Sequence, residues 1–187
     1  MPVLVPPVVS AGAMSQRVLP TLGVDELVIR PWREDDAAAV AHAYLDPDVR
    51  RWHVRSMDED EALVWIKSRR ERWSREVGVD WAITGDGVIV GRIGVRTMNL
   101  DEGSAEPAYW VVPDARGRLI ASRAIVAMTT WLFGEIGMHP LDLYHSVDNG
   151  PSCRVAGKAD FPWEATLRQQ VLHADGWHDM HLHARIA

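Results

Sequence analysis

The 187-residue chain has one cysteine, Cys153. An intramolecular disulfide and a multi-cysteine metal site are therefore excluded, and a reducing compartment such as the cytoplasm fits. A basic excess is also missing: 20 lysines and arginines stand against 26 acids, for a formal net charge of -6. That leaves no electrostatic footprint for nucleic acid. Residues 1–13, MPVLVPPVVSAGA, are apolar but carry three prolines, lack a basic flank and are too short to span a membrane. No membrane partner is expected. Residues 1–22 read as a flexible extension, with Met14 an alternative start, ahead of one domain over 23–187. An apolar content of 47% is enough to give that domain a substantial core.

Most of what is present is organised around YWVVPDARGRLIASRAIVAMTTWLF, residues 109–133. It reads as a short aromatic and β-branched strand, a turn opened by Pro113 and Asp114, and a helix to about Phe133. Arg116, Gly117 and Arg118 put a basic, backbone-rich segment at the start of that helix, where free N–H groups and the macrodipole favour an anion such as a diphosphate. The same residues are equally compatible with an ordinary connection carrying two solvated arginines.

Upstream, Val24–Arg30 alternates as a strand, and acids at 34–36 open a helix. Residues 46–56 form a proline turn with an aromatic, basic patch, and Met57–Arg75 has helical spacing capped by Ser56 or Asp58. Strands over 81–84 and 88–98 turn at Gly85, Asp86 and Gly87, and Gly91 and Gly94 suggest a bulge or close backbone approach. A meander then leads into the strand ending at Val112, where Pro107 cannot serve a ladder. Downstream come a strand over 141–147, a helix opening at Pro151 and Ser152, and a tail hairpin turning at Asp175 and Gly176. Asp179, His181 and His183 share one face of its last strand and read as a polar surface rather than a metal site. Cys153 reads as a small buried hydrophobe.

Three segments carry a family resemblance: IRPWREDDA near the start, AEPAYWVVPDARGRLIA in the middle, and DNGPSCRVAGKADF with EATLR towards the end. From Glu26 onward the chain resembles the GCN5-related N-acetyltransferases, in the branch similar to the ribosomal-protein alanine acetyltransferases. The resemblance implies a mixed α/β (α+β) fold: a mostly antiparallel, centrally splayed sheet flanked by helices, the acyl-CoA N-acyltransferase fold. It implies acetyl transfer from acetyl-CoA to a primary amine, a protein N-terminus or a small molecule, by direct attack in a ternary complex without metal. A homodimer is the oligomeric state it suggests.

The resemblance also assigns roles. Arg116, Gly117, Arg118, Leu119, Ile120 and Ala121 would hold the diphosphate, Val111 and Val112 would offer backbone to pantetheine, and Asn149 would order the site. Glu106 would be the general base, since an alkylammonium has no lone pair until it loses a proton, or else a solvated strand acid. Ser152 would protonate the departing thiolate, or else serve as a helix cap. Trp52, His53 and Trp73 would contact the acceptor, or else pack in the core. Three positions depart from the pattern: Leu119 and Asp160 stand where glycine is usual, and Pro107 replaces a hydrophobic residue. Leu119 is expected to be helical, with its side chain turned into the sheet, and Asp160 to tolerate a left-handed cap. Those departures leave a non-catalytic acyl-CoA-binding or structural module as an alternative, and a larger-acyl transferase, such as a succinyl transferase whose arginines read the extra carboxylate, is a further one.

Overall fold

In the computed structural model, which describes residues 4–187, eight strands form one sheet in the order β1-β2-β3-β4-β5-β6-β8-β7. The single strand expected over Val24–Arg30 is divided: β1 (Leu22–Val24) and β2 (Leu27–Pro31) form a hairpin whose turn holds Asp25 at φ 52°. The antiparallel meander continues through β3 (Asp80–Gly85), β4 (Val88–Asn99) and β5 (Ser104–Val111). Gly91 and Gly94 mark close approach: an added Cβ would stand 2.6 Å from the Trp110 carbonyl oxygen and 2.5 Å from that of Val79. An L side chain at either position would force the strands apart.

The sheet changes character at β5. Its neighbour β6 (Leu141–Ser146) runs parallel to it and pairs only at Ala105 with Leu141. Beyond that contact the two strands part, leaving a wedge towards the C-terminal half of β5. Pro107 stands just inside the wedge, beside a register break between Val95 and Met98. The sheet closes with β8 (Gly176–Arg185) against β6 and with β7 (Trp163–His173) outermost.

Strand alternation sends side chains to two cores. Trp81, Ile83, Ile93 and Val95 pack with α4 (Ile120–Trp131) and with Ala156 of α5 (Gly150–Lys158). Ala82 and Trp110 pack with α1 (Ala37–Ala43), α2 (Pro47–His53) and α3 (Glu59–Ser74), around Trp32, Tyr44 and Trp65. The helix α2 replaces the turn expected over 46–56. Asp46 accepts from the Val49 N–H at 2.9 Å and Pro47 sits in the first turn, so local capping starts a helix too short to show a period. Asp58 and Glu61 form a capping box that starts α3. After α4 a π-helical turn, Leu132–Ile136, ends at Gly137 with φ 85°. Asp160 is left-handed at φ 58°, which an aspartate tolerates.

The extension expected to be flexible lies against the domain. Val9 and Met14 are buried, and the N–H groups of Gly12, Met14 and Ser15 all donate to the Glu76 carboxylate at 2.7–2.9 Å. Residues 1–3 lie outside the described residues. Trp73 belongs to this packing: its indole N–H donates to the Arg17 carbonyl at 3.2 Å and its ring lies 6.1 Å from that of Trp131. It lines neither cavity described below, so its placement is that of a core residue rather than an acceptor contact.

Candidate active site

Two cavities flank the wedge. One of about 710 Å³ lies towards β4, β6, β7 and β8, and one of about 420 Å³ lies towards the N-termini of α4 and α5. Both are lined by Trp52, His53, Tyr109, Asn149 and Ser152, so these residues surround a passage from one to the other.

The larger cavity carries one acid on each of two facing strands, Glu106 from β5 and Asp142 from β6, with Arg55 and Arg96 also in its lining. Burial raises the pKa of Glu106, while Arg96 at 3.2 Å and the Thr97 hydroxyl at 3.2 Å oppose the rise. Burial likewise raises that of Asp142, with Glu164 adding like-charge repulsion. A carboxylate held in this balance can take a proton from a cation brought beside it.

His53 is neutral here. Burial lowers its pKa to about 3, helped by the positive charge of Arg92, and its Nε2–H donates to the Tyr109 carbonyl at 3.1 Å. The ring therefore fixes the β5 backbone at the passage instead of carrying charge. Trp52 packs edge-on to His173 and His178. Tyr109 was not singled out by the sequence, beyond its place in an aromatic pair at a strand end. Its hydroxyl is buried without a hydrogen-bond partner, and burial raises its pKa to about 12 against a lowering influence from the Ser152 hydroxyl. A buried hydroxyl left unpaired is costly unless something else binds it.

On the other side, Asn149 caps α5, its Oδ1 accepting from the Ser152 N–H at 3.2 Å. The capping role considered for Ser152 thus belongs to Asn149, and Ser152 occupies the first turn between the two cavities. Gly117, Leu119, Ile120 and Ala121 line the smaller cavity, and the first N–H groups of α4 have no intrahelical acceptor. Val111 lines it too, but the Val112 N–H is already given to the Val90 carbonyl at 3.0 Å. Strand alternation then turns the Val111 N–H to the wedge and Val112 away from it, which corrects the pairing of the two as backbone donors.

The loop departs further from expectation. Leu119 is left-handed, with φ 59° and ψ 14°, and half-exposed at the cavity wall rather than helical and turned into the sheet. Arg116 is engaged by Asp46 at 2.6 Å and Asp48 at 3.1 Å, so its charge joins the loop to α2. Arg118 is exposed and does not line the cavity. The cations that do line it from the helix opposite are Arg154 and Lys158, one turn apart on α5, a spacing the sequence displayed without revealing which way it pointed.

The tail strand is not a polar surface face. Asp179 accepts from the Gln169 N–H at 2.8 Å, while His183 is buried and His181 partly so, both beside His145 and Cys153. On the other face of β8, Asp175 accepts from His178 Nε2 at 2.8 Å, which leaves His178 Nδ1 to accept from the Ser146 hydroxyl at 2.7 Å. That chain of bonds holds the end of β6 just before Asn149.

A mostly antiparallel sheet opened at one parallel pair, with a helix N-terminus at the mouth of the opening, is the architecture of an acyl-CoA-dependent N-acyltransferase. Residues 26–162 match the family model described as Acetyltransferase (GNAT) domain, and the chain belongs to that family. It is an acetyl-CoA-dependent N-acetyltransferase. The chain is 24% identical over 158 residues to the N-acetyltransferase YoaA of Bacillus subtilis (strain 168), itself described as uncharacterized, covering 82% of this chain and 89% of YoaA. Among solved structures, it superposes with TM-score 0.83 on the Salmonella typhimurium acetyltransferase that modifies the N-terminal serine of ribosomal protein L7/L12, at 19% identity over 90% of this chain and 99% of that one. Mycobacterium smegmatis RimJ, solved with CoA-disulfide, gives TM-score 0.79 at 24% identity, over 90% and 86%. Among the described residues no helix is long and apolar enough to cross a membrane.

Proposed function

We propose that the chain acetylates a primary amine by direct attack, with the acceptor in the larger cavity, the donor in the smaller one and Glu106 as general base. The observation that carries this reading is the meeting of the two cavities at Tyr109 and Ser152, with a partly buried carboxylate on one side and free helix N–H groups on the other.

The donor side fits acetyl-CoA. The first-turn N–H groups of α4, with Arg154 and Lys158, suit a diphosphate, the Val111 N–H suits an amide of the pantetheine arm, and the unpaired Tyr109 hydroxyl suits a group arriving at the passage. Acetyl-CoA supplies the acyl group and a thiolate as leaving group. Glu106 takes a proton from the ammonium, directly or through water, which frees the nitrogen lone pair. Glu106 and Asp142 together favour a cationic acceptor. Tyr109 and Ser152 stand where a proton must be returned, and the high pKa of Tyr109 keeps it in the donor form. His53 and Asn149 hold the β5 carbonyl and the α5 turn in place. Similarity to an enzyme that modifies a protein N-terminus makes the α-amino group of a peptide the acceptor we favour.

The Leu119 side chain at the cavity wall and the ion pairs that occupy Arg116 weigh against tight donor binding through the loop itself. Incubation with acetyl-CoA and a panel of amines and N-terminal peptides, followed by release of free thiol, tests the proposal. Thiol release that depends on an N-terminal peptide and is lost in Glu106→Gln supports it, whereas release that is unchanged in Glu106→Gln contradicts it.

A further inference from the structure

On the sheet face that α5 covers, His145, His181, His183 and Cys153 each offer one ligand atom, and the four atoms lie within 4.8 Å of one another. His145 and His181 are direct cross-strand partners on β6 and β8, His183 lies two residues along β8, and Cys153 projects from α5.

The hydrogen bonds dictate which nitrogens are free. His145 Nδ1 lies 2.8 Å from the Ser146 carbonyl and His183 Nδ1 lies 3.0 Å from the Phe161 carbonyl. A carbonyl can only accept, so each Nδ1 carries the ring proton and each neutral ring has a bare Nε2. Those two Nε2 atoms face each other at 3.2 Å in a buried setting. Two lone pairs at that distance repel unless a positive centre lies between them. Backbone carbonyls that lock the far nitrogen are also the usual support of metal-bound histidine. Zinc–nitrogen bonds of about 2.0–2.1 Å at a tetrahedral centre place two nitrogens about 3.3 Å apart, close to this separation. His181 supplies a second, independent sign, since its Nδ1 is buried with no hydrogen-bond partner.

We propose that these residues form a binding site for one borderline-soft divalent transition ion, zinc first, with three imidazole nitrogens and the Cys153 thiolate as ligands. Binding breaks the Cys153 S–H bond, forms a metal–sulfur bond and releases one proton; no oxidant or reductant takes part. The ion ties α5 to the β6–β8 pair and so clamps the turn that carries Asn149 and Ser152. Its role is structural, and the site does not depend on the acceptor or the general base proposed above.

The test uses the full chain, stripped with a chelator and titrated with Zn²⁺ and, as a spectroscopic probe, Co²⁺. The expected result is one equivalent per chain, release of one proton, a raised Tm, and a Co²⁺ spectrum with tetrahedral d–d bands and a thiolate charge-transfer band. Cys153→Ser should remove the charge-transfer band and weaken binding about 100-fold, while His183→Gln weakens it comparably and keeps the band. The wild-type Co²⁺ spectrum needs no variant, so misfolding of either substitution cannot mask the answer. Absence of stoichiometric uptake at micromolar ion, a six-coordinate spectrum unchanged by Cys153→Ser, or a proton bridging His145 and His183 in ¹H–¹⁵N spectra that persists in excess Zn²⁺ would each overturn the site.

Discussion

The two cavities that meet at Tyr109 are built by different means. The smaller is made mainly from one continuous stretch, the end of β5 with the following turn and the start of α4, faced by α5 and by Asp48, Val49, Trp52 and His53 of α2, and the binding groups proposed for it are largely backbone. The larger is assembled from side chains on α2, β4, β5, β6, β7 and β8, separated by up to 128 residues from Trp52 to Met180. Backbone recognition tolerates substitution as long as the turn keeps its shape, whereas side-chain chemistry fails with one atom. Changes in the acceptor half should therefore abolish turnover without touching acetyl-CoA affinity, and changes in the donor half should do the reverse, by smaller factors.

The largest expected effect is that of Glu106→Gln, which should lower kcat about 100-fold or more, the scale of general-base catalysis, and leave the acetyl-CoA Kd from calorimetry unchanged. A proportionate loss of affinity would collapse the distinction between the halves. Tyr109→Phe sharpens it, because it removes a hydroxyl that is unpaired without ligand. We expect kcat to fall about tenfold while urea denaturation shows the variant more stable by about 1 kcal/mol. A purely structural tyrosine would lose stability and keep its rate.

On the donor side, Arg116→Ala frees Asp46 and Asp48 and loosens the loop from α2. These groups are partly exposed, so the expected loss of acetyl-CoA affinity is only about fivefold, with kcat at saturation unchanged. The smallest effect is that of Leu119→Gly. Relief of a left-handed leucine, worth about 1–2 kcal/mol, is offset by about 0.5–1 kcal/mol of glycine backbone entropy. The Tm should rise slightly and acetyl-CoA bind more tightly, as the isobutyl group leaves the cavity wall.

That division also explains what could be read in advance. The strand, proline turn and helix from Tyr109 onward are local, and their order in the chain is their order in space; the hairpin glycines and the stop at Gly137 obey equally local rules. The order of these elements carried the family resemblance, and the resemblance implied the fold. The handedness of Leu119 did not, since leucine rarely adopts positive φ and only the surrounding turn imposes it. Nor did α2, which is held by one cap and by packing on Trp110. Placing Trp73 required knowing that the N-terminal segment lies across α3, and grouping His145 with His181 and His183 required the β6–β8 register. The last two depend on contacts far apart in sequence, which no periodicity encodes.

The most direct test of the account is the pH dependence of kcat/KM for the wild type and Arg96→Ala, measured with two amines of different basicity so that any limb that follows the amine can be set aside. Burial raises the pKa of Glu106 and Arg96 restrains the rise, so removing Arg96 must raise it further. A base works only when deprotonated, so the acidic limb should lie above the ordinary glutamate range in the wild type and move to higher pH in Arg96→Ala. A limb in the ordinary range, or one that stays in place when Arg96 is removed, would contradict the assignment of Glu106.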